Sequence, residues 1–165
     1  TWDGNTGTVY VDEPVDSFAK SGHVIKPLSE LKYDLDNHFQ KGGSLLGHNI
    51  VAFDLPILRD SMDIYCIHKY LKDERYIDTS KILLKEHGER FQLKNLVKCT
   101  MNDAKLMDSA DAPKLWKMGQ YDEVVEYCMK DTQLVYDLWK YGQTNGIVKA
   151  FSLEKAEHKD LEVKW

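Results

Sequence analysis

Residues 121–141, YDEVVEYCMKDTQLVYDLWKY, constrain the fold more than any other stretch. They hold neither glycine nor proline, and their apolar side chains recur at helical spacing. Val124, Cys128, Val135 and Leu138, with Leu134 beside them, are expected to form one buried stripe. Tyr127 and Asp131 are four residues apart, so a helix stacks a phenol and a carboxylate on one side, about one turn from each other. Asp131 falls among apolar neighbours on or beside the stripe. A carboxylate there is costly unless a salt bridge, a cap or a bound metal compensates it. Taken alone, the pair reads as a core tyrosine and a boundary aspartate.

A second stretch changes the weight of the first. Ser44-Leu45-Leu46 reads as the start of a short buried strand, and Leu55-Pro56-Ile57-Leu58 as a first helical turn. Between them runs Gly47-His48-Asn49-Ile50-Val51-Ala52-Phe53-Asp54, in which Asp54 is expected to cap the helix with Pro56 just inside it. His48 reads as a satisfied strand-end residue. Asn49-x-x-x-Phe53-Asp54 followed downstream by Tyr127-x-x-x-Asp131 resembles the second and third motifs of the DEDDy-type 3′–5′ exonucleases, which belong to the ribonuclease H-like superfamily. Trp116-Lys117-Met118-Gly119, a short acidic segment and Tyr127-Cys128-x-x-Asp131 are similar to a run found in the stand-alone and helicase-associated members.

The resemblance implies an α/β fold: a ribonuclease H-like mixed sheet flanked by helices, with a C-terminal β-hairpin, as a single domain over residues 1–165. It implies hydrolysis of phosphodiester bonds at the 3′ end of single-stranded DNA or RNA, using two Mg²⁺ or Mn²⁺ ions about 3.5–4 Å apart. In that scheme Asp131 holds one ion together with first-motif carboxylates, and Asp54 helps the second, largely through water. Tyr127 orients the attacking water. Asn49 bonds the terminal nucleotide, and Phe53 packs beneath its base or fills core, core being the favoured role. Asp78-Thr79 matches a frequent Asp-Thr of the superfamily, with capping favoured, and Lys105 corresponds to a basic position. A helicase or a replication or repair protein is the implied partner.

One element of the pattern is absent. Such enzymes carry Asp-x-Glu on the opening strand, whereas Asp12 and Glu13 are adjacent, so on a strand they point to opposite faces. They also lie too close to Asp54 for the strands and helix expected between the motifs. The Asp-x-Glu strand is therefore expected upstream of Thr1 or from another chain. Asp54 and Asp131 alone underfill a two-ion site, because Mg²⁺ needs near-octahedral oxygen ligation. Two other readings compete: a ribonuclease H-like binding or scaffold module that has lost catalysis, and the proofreading domain of a phage-type DNA polymerase. The short span from Asp78 to Tyr127 and the terminal hairpin favour the stand-alone family over the polymerase.

A net charge of −5 argues against a surface that coats nucleic acid, though a metal-dependent nuclease tolerates it. Cys66, Cys99 and Cys128 are odd in number and form no Cys-x-x-Cys pair, which reads as thiols in a reducing cytoplasm. No apolar run approaches the roughly 18–20 residues of a membrane span. Elsewhere the spacing predicts a hairpin over 1–11, a loop over 12–26, and a helix from Pro27 to Gln40 stopped by Gly42-Gly43. Tyr65 to Leu71 is ambiguous between helix and loop. A strand at Tyr76-Ile77, a helix from Asp78 to Gly88 and another from Phe91 follow, with Leu93, Leu96 and Val97 inward. Gly142 is expected to end the long helix, and 146–152 with 161–165 to form the terminal hairpin.

Overall fold

Short strands alternate with helices along a chain whose computed structural model describes residues 1–18, 22–104 and 111–165. Lys105 lies outside them. Strand β1 (Thr8–Val11) and strand β2 (Val24–Pro27) precede helix α1 (Leu31–Gln40) and strand β3 (Leu45–Gly47). A single turn, α2 (Asp54–Pro56), runs into a wider π-type turn at Ile57–Ser61, then α3 (Cys66–Lys72), β4 (Tyr76–Asp78) and α4 (Thr79–His87). Helices α5 (Leu93–Met101), α6 (Ala112–Lys117) and α7 (Tyr121–Asn145) lead to β5 (Ile147–Ser152) and β6 (Glu157–Glu162). The class is α/β. Among the described residues no helix is long and apolar enough to cross a membrane.

Strand pairing departs from the expected single mixed sheet. The described strands pair only in twos: β1 with β2 and β3 with β4 in parallel, β5 with β6 antiparallel. The segment expected to be a loop over 12–26 contains β2, which pairs Thr8 with Val24 and Val11 with Pro27. Its four residues are too few to show alternation, and their partner is local only in space. The opening hairpin survives as one bridge between Trp2 and Gly7, with Asp3 Oδ1 accepting the turn N–H groups of Asn5 and Thr6. The terminal hairpin is present, but its second arm starts at Glu157 rather than Leu161.

Helix α7 joins two cores. Val125 and Met129 pack with Val11 and Phe18, whereas Leu134 and Leu138 join Leu83, Leu96, Val97, Val148, Ala150 and Leu161. Serving both widens its buried face beyond the single stripe read from the sequence. Cys128 is exposed because it faces an open cleft, and Val135 is half-buried because it packs against the second of these cores on one side and lines the cleft on the other. A third cluster, built on Leu31, Leu35, Ile50, Leu55, Ile67 and Tyr70, wedges the 47–54 loop between α1 and α3. Tyr70 is fully buried there and donates its hydroxyl to the Leu35 carbonyl at 2.9 Å.

Gly142 does not end α7. The helix runs on to Asn145, and Gly146 closes it in the left-handed conformation (φ 71°). Glycine is needed at 142 for space: a Cβ there would sit 2.5 Å from the Trp165 ring, which is fixed by its indole N–H donating to the Trp139 carbonyl at 2.8 Å. Gly142→Ala is therefore expected to lower stability by about 1–3 kcal/mol through overpacking, despite alanine's better helix propensity of about 1 kcal/mol. Urea denaturation measures it; a stabilised variant would mean that Trp165 yields freely.

Candidate functional site

The 47–54 loop owes its shape to Asp78, the last residue of β4. This side chain is 3% exposed and caps α4, accepting the Ser80 and Lys81 N–H groups on Oδ1 at 3.1 Å. It also takes the Asn49 N–H on Oδ1 at 2.8 Å and the Val51 N–H on Oδ2 at 3.0 Å. Four backbone donors on one carboxylate tie two segments some thirty positions apart in sequence. The pull holds Asn49 in the left-handed region (φ 68°), which asparagine tolerates better than most residues. Next to it, the His48 ring lies 2.9 Å from both Thr79 Oγ1 and the Phe91 carbonyl oxygen, so Nε2 donates to that carbonyl and the ring braces the end of β3. Capping was legible in Asp78-Thr79; the hold on the loop was not.

Asp54 starts α2 but does not cap it. Phe53 occupies the cap position, and the turn has no side-chain cap bond. The carboxyl is accordingly left facing the cleft. It is solvent-accessible, yet desolvation by the surrounding walls, and secondarily the charge on Asp78, raise its pKa above the ordinary carboxylate value of 3.8. A raised folded-state pKa means the native chain holds the proton more tightly than the unfolded chain. Stability from this group is thus present at low pH and lost as pH rises from 3.8 through the raised value. Asp54→Asn is expected to raise the melting temperature at neutral pH and to remove the loss of stability that sets in as pH rises from 3.8, so that the rise of stability with pH on the acid side becomes steeper. A lower melting temperature across the range would mean that Asp54 holds the turn together.

The cleft is about 2160 Å³ and lies between the edges of β1 and β3, with α7 across from the loop. Asn49, Phe53 and Asp54 line it from one side, and Cys128, Asp131, Thr132 and Val135 from the other. Four of the five candidate residues thus line the same large cleft. Tyr127 is not among them: it is 6% exposed and lies off the cleft wall, one turn before Asp131. Phe53 does not fill core. It is 62% exposed, because Ile50 and Leu55 occupy the apolar side of the turn and leave Phe53 on the outside.

Other carboxylates on the cleft are engaged. Asp34 Oδ2 accepts from both Tyr10 and Lys26 at 2.7 Å, and Asp103 pairs with Lys130 at 2.7 Å. Among the described residues no group of three or more histidine, cysteine or acidic side chains converges to hold a metal ion. Asp54 and Asp131 are two carboxylates, fewer oxygen ligands than a two-ion centre needs. One residue that sequence reasoning passed over is Arg90, which donates Nη1 to Asn49 Oδ1 at 3.3 Å. Compared with family models, characterised proteins and solved structures, the chain matches none.

Proposed function

We propose that the cleft is the site of a 3′–5′ exonuclease acting on single-stranded nucleic acid, within a ribonuclease H-like arrangement. The observation that carries this reading is that two motifs far apart in sequence place Asn49, Phe53, Asp54 and Asp131 on one cleft. Divalent ions, when bound, supply an activated water and a sink for charge on the leaving oxygen. Within this reading Asn49 positions the terminal nucleotide, Phe53 offers its exposed face to a base, and Asp54 and Asp131 contribute oxygen ligands. The remaining carboxylates would come from an added strand, for which the gap between β1 and β3 is the natural seat: β1 pairs only with β2, and β3 only with β4, among the described strands. An added strand there would turn two parallel pairs into one sheet.

The absence of a three-ligand cluster among the described residues favours one other reading, a binding module that does not cleave. A single experiment separates them. Degradation of a 3′-labelled single-stranded oligonucleotide is measured for the 165-residue chain and for the chain preceded by a strand carrying Asp-x-Glu. The exonuclease reading expects Mg²⁺- or Mn²⁺-dependent, EDTA-sensitive degradation only with the strand. Binding without degradation by either form supports the module, and full activity of the unextended chain shows that two carboxylates suffice.

A further inference from the structure

A strand end held at Asp54 and Asp131 needs its preceding phosphates held as well, and one wall of the cleft is made for that. Arg90, Lys94 and Lys98 all line it, all exposed, at spacings of four residues. Helix α5 is locked in place by Leu93, 9% exposed, and by Leu96 and Val97, both fully buried, which holds Lys94 and Lys98 on the cleft. At a rise of about 1.5 Å per residue, Lys94 and Lys98 stand about 6 Å apart along the helix, a spacing suited to successive phosphates of an extended single strand.

Solvated surface charge is the ordinary explanation for such residues, and exposed lysines such as Lys41, Lys72 and Lys85 also lack a carboxylate partner among the described residues; what sets these three cations apart is that they line one cleft together. Lys26, Lys69, Lys114, Lys130 and Lys159 each pair with a carboxylate. Among the described residues Arg90, Lys94 and Lys98 have no carboxylate partner; Arg90 donates to Asn49 and Lys98 to Asn102 Oδ1. In a chain of net charge −5, three unneutralised cations share one wall, on the same cleft as the exposed Phe53. A basic groove joined to an aromatic face is how single strands are held without regard to sequence.

We propose that Arg90, Lys94 and Lys98 form a track for the phosphodiester backbone of a single-stranded nucleic acid, with Phe53 as the stacking platform beside the strand end. The proposal rests on the reading of the cleft as a nucleic-acid site. Arg90 is its inner end, linked to Asn49, and Lys98 its outer end.

Fluorescence anisotropy of a labelled oligothymidylate of about 15 nucleotides, in EDTA and at salt from about 25 to 200 mM, tests it. Replacing all three cations by glutamine (R90Q, K94Q, K98Q) is expected to weaken binding at least tenfold at the lowest salt. The slope of log affinity against log salt should fall by about 2, since each single-strand phosphate contact contributes about 0.7. Phe53→Ala should cost about tenfold with the slope unchanged. Glutamine at the paired Lys69 and Lys114 should change neither quantity. An unaltered slope in the triple variant, or no binding by the parent chain, overturns the track. The hydrolysis assay is read separately: binding that needs the three cations without any degradation sinks the exonuclease reading and leaves the track standing. Degradation that depends on Asp54 and Asp131 but not on the cations does the reverse.

Discussion

Asp78→Ala is expected to destabilise the chain by about 3–5 kcal/mol in urea denaturation, the largest loss from any single polar substitution. Its carboxylate is 3% exposed and accepts from Asn49, Val51, Ser80 and Lys81. A hydrogen bond to a charged group contributes about 1.5–3 kcal/mol and a helix cap about 1 kcal/mol, and four donors on one group do not add in full. Alanine leaves buried N–H groups unmatched at both the loop and the start of α4. Asp78→Asn keeps an acceptor for the three donors on Oδ1 but turns an amide toward the Val51 N–H. An intermediate loss of about 1–3 kcal/mol follows. Because the loop carries Asn49 and Asp54, hydrogen exchange at 49–54 should rise together with exchange at the first turn of α4. An alanine variant within about 1 kcal/mol of the parent would show that Ile50 and Leu55 hold the loop by packing alone.

Asp131→Asn and Asp54→Asn are each expected to reduce hydrolysis by about 10²-fold or more in the chain completed with an Asp-x-Glu strand, since removing one preorganised charge stabiliser costs about that much. The two should differ in what else they do. Asp54 is solvent-accessible with a raised pKa, so its loss removes an electrostatic cost and the folded chain tolerates it. Asp131 is half-buried on α7 with its Oδ1 fully enclosed, so its amide variant must still satisfy that atom. Melting temperatures therefore separate ligand loss from misfolding: Asp54→Asn should melt at or above the parent while losing activity. Rates within about threefold of the parent for both variants would remove these carboxylates from the chemistry.

Much of the local structure was legible because its causes lie within a few residues. Asp78-Thr79 announced a cap, and Gly88, left-handed at φ 73°, ends the helix it starts. Leu93, Leu96 and Val97 turned inward as their spacing required. The two motifs stood out for the same reason, as short runs with particular chemistry, and the structure brings Asp54 and Asp131 to one cleft.

What escaped the sequence depends on partners far along the chain. Val24–Pro27 is a strand only because β1 lies alongside it. Gly142 looked like a helix stop, and its real constraint is Trp165, which arrives after a complete hairpin. Cys128 fits a buried stripe by spacing, and Phe53 fits a core by composition. Both are exposed because each lies on a cleft whose walls are assembled from β1, β3, α5 and α7. The sequence by itself determined that α4 starts at Asp78-Thr79, which residues of α5 turn inward, and which carboxylates sit in recognisable motifs. Hydrogen bonding and side-chain spacing act there over one or two turns. Only the tertiary structure decided which strands pair, which apolar residues stay in water, and which cations share a cleft with Asp131, since those outcomes follow from burying surfaces that meet only when the chain is folded.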